Sequence, residues 1–320
     1  MTLLSPDDIA PVKADLDKAL AALDAMLLGR PGLHRLVLAG VLAHGHILLE
    51  GLPGLGKTAL VTALAKILEL DAKRIQFTPD LMPSDIVGSH ILETHADGSR
   101  EMSFRPGPVF CNLLLADEIN RASPKTQSAL LETMQERSVT LMGVTRPLPD
   151  PFFVLASQNP IELEGTYPLP EAQTDRFLFR LRVGSPDAET LTAIISSRSQ
   201  GRMPEPGFTL SGDALKRAFD TVSRVVLPEA VASWIGRLVA ATHGAEYVKY
   251  GASPRAAIAL AESSRAFALL DGRPSVGFDD VRAVAVPVLN HRLVMDYRAS
   301  LDGISPDGVA QSLLGSVPVA

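Results

Sequence analysis

The run Gly51-Leu52-Pro53-Gly54-Leu55-Gly56-Lys57-Thr58 fits the pattern G-x-x-x-x-G-K-[ST]. It lies between an apolar, strand-like stretch, His46 to Glu50, and a segment that places Leu60, Leu64 and Leu68 on one helical face. A strand, a glycine-rich loop and a helix in that order constrain the chain more than any other feature. Glycines let backbone N–H groups wrap phosphate oxygens, and the helix N-terminus adds positive potential. Lys57 would neutralise the β and γ oxygens of a nucleotide, and the Thr58 hydroxyl would face Mg²⁺, with Ala59 next along the helix. A glycine-rich turn without a ligand is the rival reading, and the flanking strand and helix weigh against it.

The rest of the first half follows the same grammar. Apolar runs at His46 to Glu50, Asn112 to Ala116, Phe152 to Ala156 and Phe177 to Leu181 alternate with helical stretches at Lys57 to Leu68 and Thr126 to Glu136. Strands apolar on both faces imply an α/β fold, a P-loop NTPase core with a parallel sheet sandwiched by helices. Two hairpins interrupt it: Ser89 to Thr94 with Arg100 to Phe104 around Asp97-Gly98, and Ser138 to Leu141 with Val144 to Leu148 around Met142-Gly143. After Val183-Gly184 only helical periodicity remains, at Glu189 to Ser199, Asp213 to Val226, Glu229 to Thr242, Arg255 to Leu270 and Asp279 to Leu289. The expected division is residues 1–184 for the α/β domain with an N-terminal helical segment, and 185–320 for an all-helical domain. Five Ser-Pro pairs, beginning at Ser5, Ser123, Ser185, Ser253 and Ser305, read as helix starts. Serine can accept an orphan amide, and proline lacks the donor that would go unpaired.

Length and charge narrow the function. The 320 residues are enough for about two domains. Thirty-six acidic against thirty basic residues give a net charge of −6, which argues against a life on a phosphate backbone. Nucleic acid is therefore an unsupported partner. The lone Cys111 sits in an apolar run and reads as a small buried hydrophobe. The stretch Leu36 to Glu50, interrupted by His44 and His46, falls short of a membrane span. The first residues lack the basic start and apolar block of a secretory signal, so the cytoplasm is the expected compartment. The seven histidines show no metal-ligand spacing, and His44 and His46 read as structural.

Four further groups are candidates for chemistry. Leu113 to Ala116 delivers Asp117 and Glu118 at a strand's C-terminal end, the edge where parallel sheets bind ligands. Asp117 would hold Mg²⁺, and Glu118 would orient and polarise the attacking water. The strand Phe152 to Ala156 ends in Ser157-Gln158-Asn159-Pro160, so Asn159 either reads a γ-phosphate or simply occupies a turn before proline. Arg255 falls in a first helical turn, where the dipole disfavours a cation. A phosphate would relieve that conflict; otherwise it is an exposed arginine. Arg176, taken alone, reads as a salt-bridge partner of Asp175 or Glu171.

In order, these elements resemble AAA+ ATPases, specifically the MoxR family, over nearly the whole chain. The resemblance rests on Gly45-His46-Ile47-Leu48-Leu49-Glu50-Gly51, Gln76-Phe77-Thr78-Pro79-Asp80-Leu81, Phe104-Arg105-Pro106-Gly107-Pro108, Leu115-Ala116-Asp117-Glu118-Ile119-Asn120-Arg121-Ala122, Gln158-Asn159-Pro160, Glu171-Ala172-Gln173-Thr174-Asp175-Arg176-Phe177 and Ser253-Pro254-Arg255. It implies that ATP and Mg²⁺ are the cofactors, that Asn159 is sensor 1, that Arg176 is an arginine finger reaching a neighbour's γ-phosphate, and that Arg255 is sensor 2 on a helical lid. It implies a homo-oligomeric ring, a hexamer, whose two hairpins line the axial face, and a chaperone-like ATPase that remodels, matures or activates a client protein complex. Cofactor or metal insertion beside a VWA-domain protein, supplied in trans, belongs to the same expectation. Two positions depart from the family pattern: Thr174, where leucine is usual, and Arg30 after Gly29, where glutamine is frequent, which bears on the adenine pocket. The rival readings are a nucleotide-gated scaffold and a magnesium-chelatase-like or DNA-acting AAA+ subunit.

Overall fold

In the computed structural model, which describes residues 4–319 except Pro53, Ala96, 160–164 and 198–203, the strand entering the glycine-rich loop lies inside a five-stranded sheet. In chain order its strands are β1 (Ile47–Glu50), β2 (Ala72–Gln76), β3 (Leu113–Asp117), β4 (Phe153–Gln158) and β5 (Phe179–Arg182). In space they run β2-β3-β4-β1-β5, every neighbouring pair parallel. Alternate residues of a strand face opposite sides. Ile47, Leu49, Leu113, Leu115, Phe153 and Leu155 thus join one apolar cluster, and Leu48, Leu114, Ala116, Val154 and Ala156 another.

The first face is covered by α1 (Pro6–Met26), α2 (Pro31–Leu42) and α3 (Lys57–Ile67). The second is covered by the turn Pro83–Val87 and α4 (Pro124–Glu136). Cys111 is buried in the second cluster, and burial pushes its thiol up to about 12, which suits a hydrophobe. Strand β2 was not foreseen. Its residues Ala-Lys-Arg-Ile-Gln expose the first three side chains, because an edge strand has one neighbour and carries no apolar run.

Beyond β5 come α5 (Ala188–Ser197), α6 (Gly212–Arg224), α7 (Glu229–Ala241), α8 (Pro254–Leu270), α9 (Phe278–Leu289) and α10 (Pro306–Ser316). A short antiparallel pair, Val248–Tyr250 with Val294–Met295, sits among them. The fully buried Trp234 meets the Phe278 ring edge-on at 5.6 Å, and the apolar cluster around it is continuous with α1 and α2. Four of the five serine caps form: Ser5, Ser123, Ser253 and Ser305 each accept a first-turn amide. Ser185 does not, because α5 starts later and the Asp187 carboxylate accepts from Thr190 N at 2.8 Å.

The two expected hairpins are present, Gly88–Thr94 with Arg100–Pro106 and Ser138–Leu141 with Val144–Pro147. The Arg146 guanidinium of the second stacks over the Phe104 ring of the first at 4.0 Å, so the two are packed together. No helix among the described residues is long and apolar enough to cross a membrane.

His46 is structural, as its position before β1 predicts. Its Nδ1 accepts from Val154 N at 3.0 Å, so the proton resides on Nε2, which donates to the Met134 carbonyl at 3.0 Å. Burial pushes its pKa down to about 4. The folded value lies below the ~6.5 of an unfolded chain, so this stabilisation is complete above pH 6.5 and is lost as pH falls towards 4. At ~1.4 kcal/mol per unit the loss from this one group approaches about 3 kcal/mol. Denaturant titrations between pH 7.5 and 4.5 should show unfolding free energy falling with acidification, less steeply in His46→Gln; equal slopes would refute the assignment.

Candidate nucleotide-binding site

The loop from Gly51 to Gly56 joins the C-terminal end of β1 to the first turn of α3. Gly56 precedes the helix at φ +87°, a conformation that L side chains rarely adopt, and its carbonyl accepts from Leu60 N at 2.9 Å. Lys57 is the first helical residue, and its Nζ donates to the Gly51 carbonyl at 2.7 Å. Burial lowers the pKa of this ammonium, while the carboxylates of Asp117 and Glu118 oppose the shift. Gly54, Gly56, Lys57 and Thr58 line a cavity of about 760 Å³ together with Arg74, Gln76, Asp117, Glu118 and Asn159. The predicted loop, carboxylates and Asn159 thus meet in one place. Leu52 is exposed beside it, and Pro53 lies outside the described residues.

A second, more apolar cavity of about 730 Å³ adjoins the first, since Gly56 and Lys57 line both. Leu55, Ala59, Leu33, Val183 and Ile194 contribute to its wall. Arg30, at one of the two departures from the family pattern, donates from Nη1 to the Leu55 carbonyl and from Nη2 to the Gly184 carbonyl, both at 2.7 Å. It therefore ties the glycine-rich loop to the segment that leads into the helical part. Gly29, just before it, has φ +85°, and a Cβ there would stand 2.5 Å from Thr190 of α5, so glycine is what lets that helix close over the cavity.

Asp117 and Glu118 are consecutive and would face opposite sides if β3 simply continued. Glu118 instead adopts the left-handed conformation (φ 57°, ψ 49°), which brings both carboxylates to the same cavity. Such a backbone costs on the order of 1–3 kcal/mol and must be held by its surroundings. Ser157, fully buried on β4, does so: its Oγ accepts from Glu118 N at 3.0 Å and donates to Asp117 Oδ1 at 2.5 Å. From β2, Arg74 Nη2 reaches Asp117 Oδ2 at 2.7 Å and Gln76 Nε2 reaches Glu118 Oε2 at 2.8 Å. Arg121 adds a contact to Glu118 Oε2 at 3.0 Å. Arg74 is not marked in the sequence, because the strand carrying it is not; its only signal is its place two residues before Gln76, on the same face of the strand. The oxygen donors, a hydroxyl from Thr58 and a carboxylate from Asp117, fit Mg²⁺, which takes few protein ligands and completes its shell with phosphate oxygens and water.

Arg176 and Arg255 are not brought to this cavity. Both line another, of about 860 Å³, with His44, Asp175, Glu262 and Arg292. Arg176 precedes β5 and the glycine-rich loop follows β1; these parallel strands pair Ile47 with Phe179. The two groups therefore sit at opposite ends of the strand pair. The conflict between Arg255 and its helix dipole is met by the Asp175 carboxylate, 3.9 Å away, rather than by a group near Lys57. Arg176 makes no ion pair with Asp175 or Glu171 among the described residues, and its Nε is buried without a partner there. Thr174, the other departure, donates to the Glu171 carbonyl at 3.0 Å and the His291 carbonyl at 3.3 Å, a link leucine could not make.

Residues 46–179 match the family described as "ATPase family associated with various cellular activities (AAA)", and residues 240–312 match the AAA lid domain. The chain is 43% identical to Chaperone MoxR1 of Mycobacterium tuberculosis, across 94% of this chain and 81% of that protein. It is 32% identical to Protein MoxR of Paracoccus denitrificans, across 94% and 95%. A solved structure from Cytophaga hutchinsonii that carries an ATPase designation superposes with a TM-score of 0.89 at 38% identity, covering 98% of this chain and 97% of that one.

Ser157→Ala should leave the Glu118 amide buried without an acceptor and cost about 1–3 kcal/mol of stability. If Ser157 also sets the carboxylate geometry, nucleotide turnover drops more than nucleotide affinity. Thermal unfolding, read beside steady-state kinetics, checks this; a lowered melting temperature with unchanged turnover would reduce Ser157 to a packing role.

Proposed function

Since the chain belongs to the MoxR family of AAA+ ATPases, we propose that it binds and hydrolyses ATP with Mg²⁺ at junctions between copies of itself. The assembly is a ring, read as a hexamer, and its cycle remodels, matures or activates a partner protein complex. One observation carries this reading. The phosphate-binding groups and Arg176 stand at opposite ends of β1 and β5, paired strands of four residues that at ~3.3 Å per residue are about 13 Å long, and Arg255 shares the cavity at the Arg176 end. Arg176 is thus poorly placed to serve the phosphates of its own chain and well placed to serve those on an adjacent copy.

At the first half, Lys57 would neutralise the β and γ oxygens, and backbone amides of the loop would cradle them. Mg²⁺, held by the Thr58 hydroxyl and the Asp117 carboxylate, would supply electrophilic neutralisation of the same oxygens. Glu118 would accept the proton of the attacking water, and Asn159 would orient it. The adenine would enter the apolar cavity beside Leu55 and Ala59, between Arg30 and α5. At the second half, Arg176 and Arg255 would stabilise the charge that develops on the neighbour's γ-phosphate.

The hairpins support contact with a client. Leu92 and Met102 are cross-strand partners on the first, Met142 lies in the turn of the second with Val144 just after it, and all four are exposed. The word chaperone in the name of the Mycobacterium relative favours the same role. A VWA-domain protein acting in trans, cofactor or metal insertion, and a cytoplasmic setting complete the proposal on family grounds alone.

Lys57→Ala should abolish ATP binding. Glu118→Gln should retain it and lose roughly 10²–10⁴ of turnover. Equilibrium binding of a fluorescent ATP analogue and phosphate release measure the two effects, and full turnover in Glu118→Gln would remove that residue as the base. Pull-down with Glu118→Gln, stalled with ATP bound, should enrich a client complex.

A further inference from the structure

Asp175 stands immediately before Arg176, yet its side chain is held entirely by the helical part of the chain. The Arg292 side chain, 3% exposed, donates from Nε to Asp175 Oδ1 at 2.8 Å. Its Nη2 donates to the carbonyls of Asp175 at 3.2 Å and Phe177 at 2.6 Å, and its Nη1 to the Leu178 carbonyl at 3.1 Å. One planar guanidinium thus grips Asp175, Phe177 and Leu178, the residues on both sides of Arg176. The other Asp175 oxygen accepts from Ser253 Oγ at 2.9 Å, the cap of the helix that carries Arg255, and Arg255 Nη1 lies 3.9 Å away.

Arg176, Arg255 and Arg292 therefore line one cavity with this carboxylate, which the guanidinium groups of Arg255 and Arg292 both face. Like charges so placed repel unless a counter-charge fixes them. Asp175 supplies that charge and couples directly to the Arg255 helix, while Arg292 fixes the backbone that presents Arg176. Neither residue faces the cavity lined by Lys57 and Glu118, so neither has a part in handling nucleotide on its own chain.

We propose that Asp175 and Arg292 are positioning residues that hold Arg176 and Arg255 at a fixed mutual spacing, so that one copy delivers them as a pair to the phosphates bound by the next. The proposal rests on the between-copies reading of the site, and its test separates the two. Copies carrying Lys57→Ala still offer both arginines but bind no nucleotide; copies carrying Arg176→Ala bind nucleotide but offer no finger. Mixed, they should regain ATPase activity at junctions where the first serves the second. Adding Asp175→Asn, close to isosteric, to the Lys57→Ala copy should then lower the regained kcat by about tenfold to a hundredfold, the range for a misplaced catalytic group, with little change in KM for ATP. Arg292→Lys on the same copy, which keeps the charge but loses the fork, should do likewise. Either substitution on the Arg176→Ala copy should cost less than about twofold. Equal losses on both copies would mark a folding defect, and no loss on the donating copy would mark a dispensable contact; each overturns the proposal. A parent mixture that regains no activity would instead bring down the between-copies reading, and this inference with it.

Discussion

Four residues, Ile47–Glu50, set the scale of everything functional in this molecule. They are hydrogen-bonded to a parallel strand on each side and packed against apolar clusters on both faces, so they can neither slide nor tilt without breaking the core. The glycine-rich loop leaves from one end of this rod. The segment that carries Arg176 enters the adjacent strand at the other end, where Leu178 N donates to the His46 carbonyl at 2.8 Å. The spacing between the two halves of the site is thus a property of the sheet rather than of any loop.

The two ends are electrically complementary. At the first, Asp117 and Glu118 are forced together by a left-handed residue and relieved by Arg74, Gln76, Arg121 and the ammonium of Lys57. At the second, arginines crowd around Asp175. Clustering of like charges is expensive in a single chain, and it becomes favourable when the face meets phosphate oxygens. The proposed head-to-tail junction between copies would bring the second end of one copy to the phosphates held at the first end of the next.

Local signals in the residues were read well where they are contiguous. The apolar runs gave four of the five strands, the Asp97-Gly98 and Met142-Gly143 turns gave both hairpins, and four Ser-Pro pairs gave helix starts. The two exceptions have different causes. Strand β2 is polar because it lies at the edge, and Ser185 caps nothing because the helix begins later, where Asp187 accepts the first-turn amide of Thr190. The neighbours that make β2 an edge strand are not encoded in its local pattern, whereas at Ser185 a second capping residue two positions on decided the start. Arg255 shows the limit most clearly: its conflict with the helix dipole points to a phosphate or to an exposed arginine, and the structure places it half-exposed beside a carboxylate 80 residues earlier in the chain, Asp175.

The residues by themselves therefore determined a nucleotide-binding loop between strand and helix, a carboxylate pair at a strand end, two hairpins and a helical tail, since each is written in adjacent positions. Tertiary structure alone decided that Ser157 and Arg74 would brace those carboxylates, that Arg30 would bridge the loop to Gly184, and that Arg176 and Arg255 would share a cavity away from Lys57. These contacts join positions 40, 43 and 154 residues apart in the first three cases. They exist because the spatial order of the strands is not their order in the chain, and no run of consecutive residues specifies that permutation.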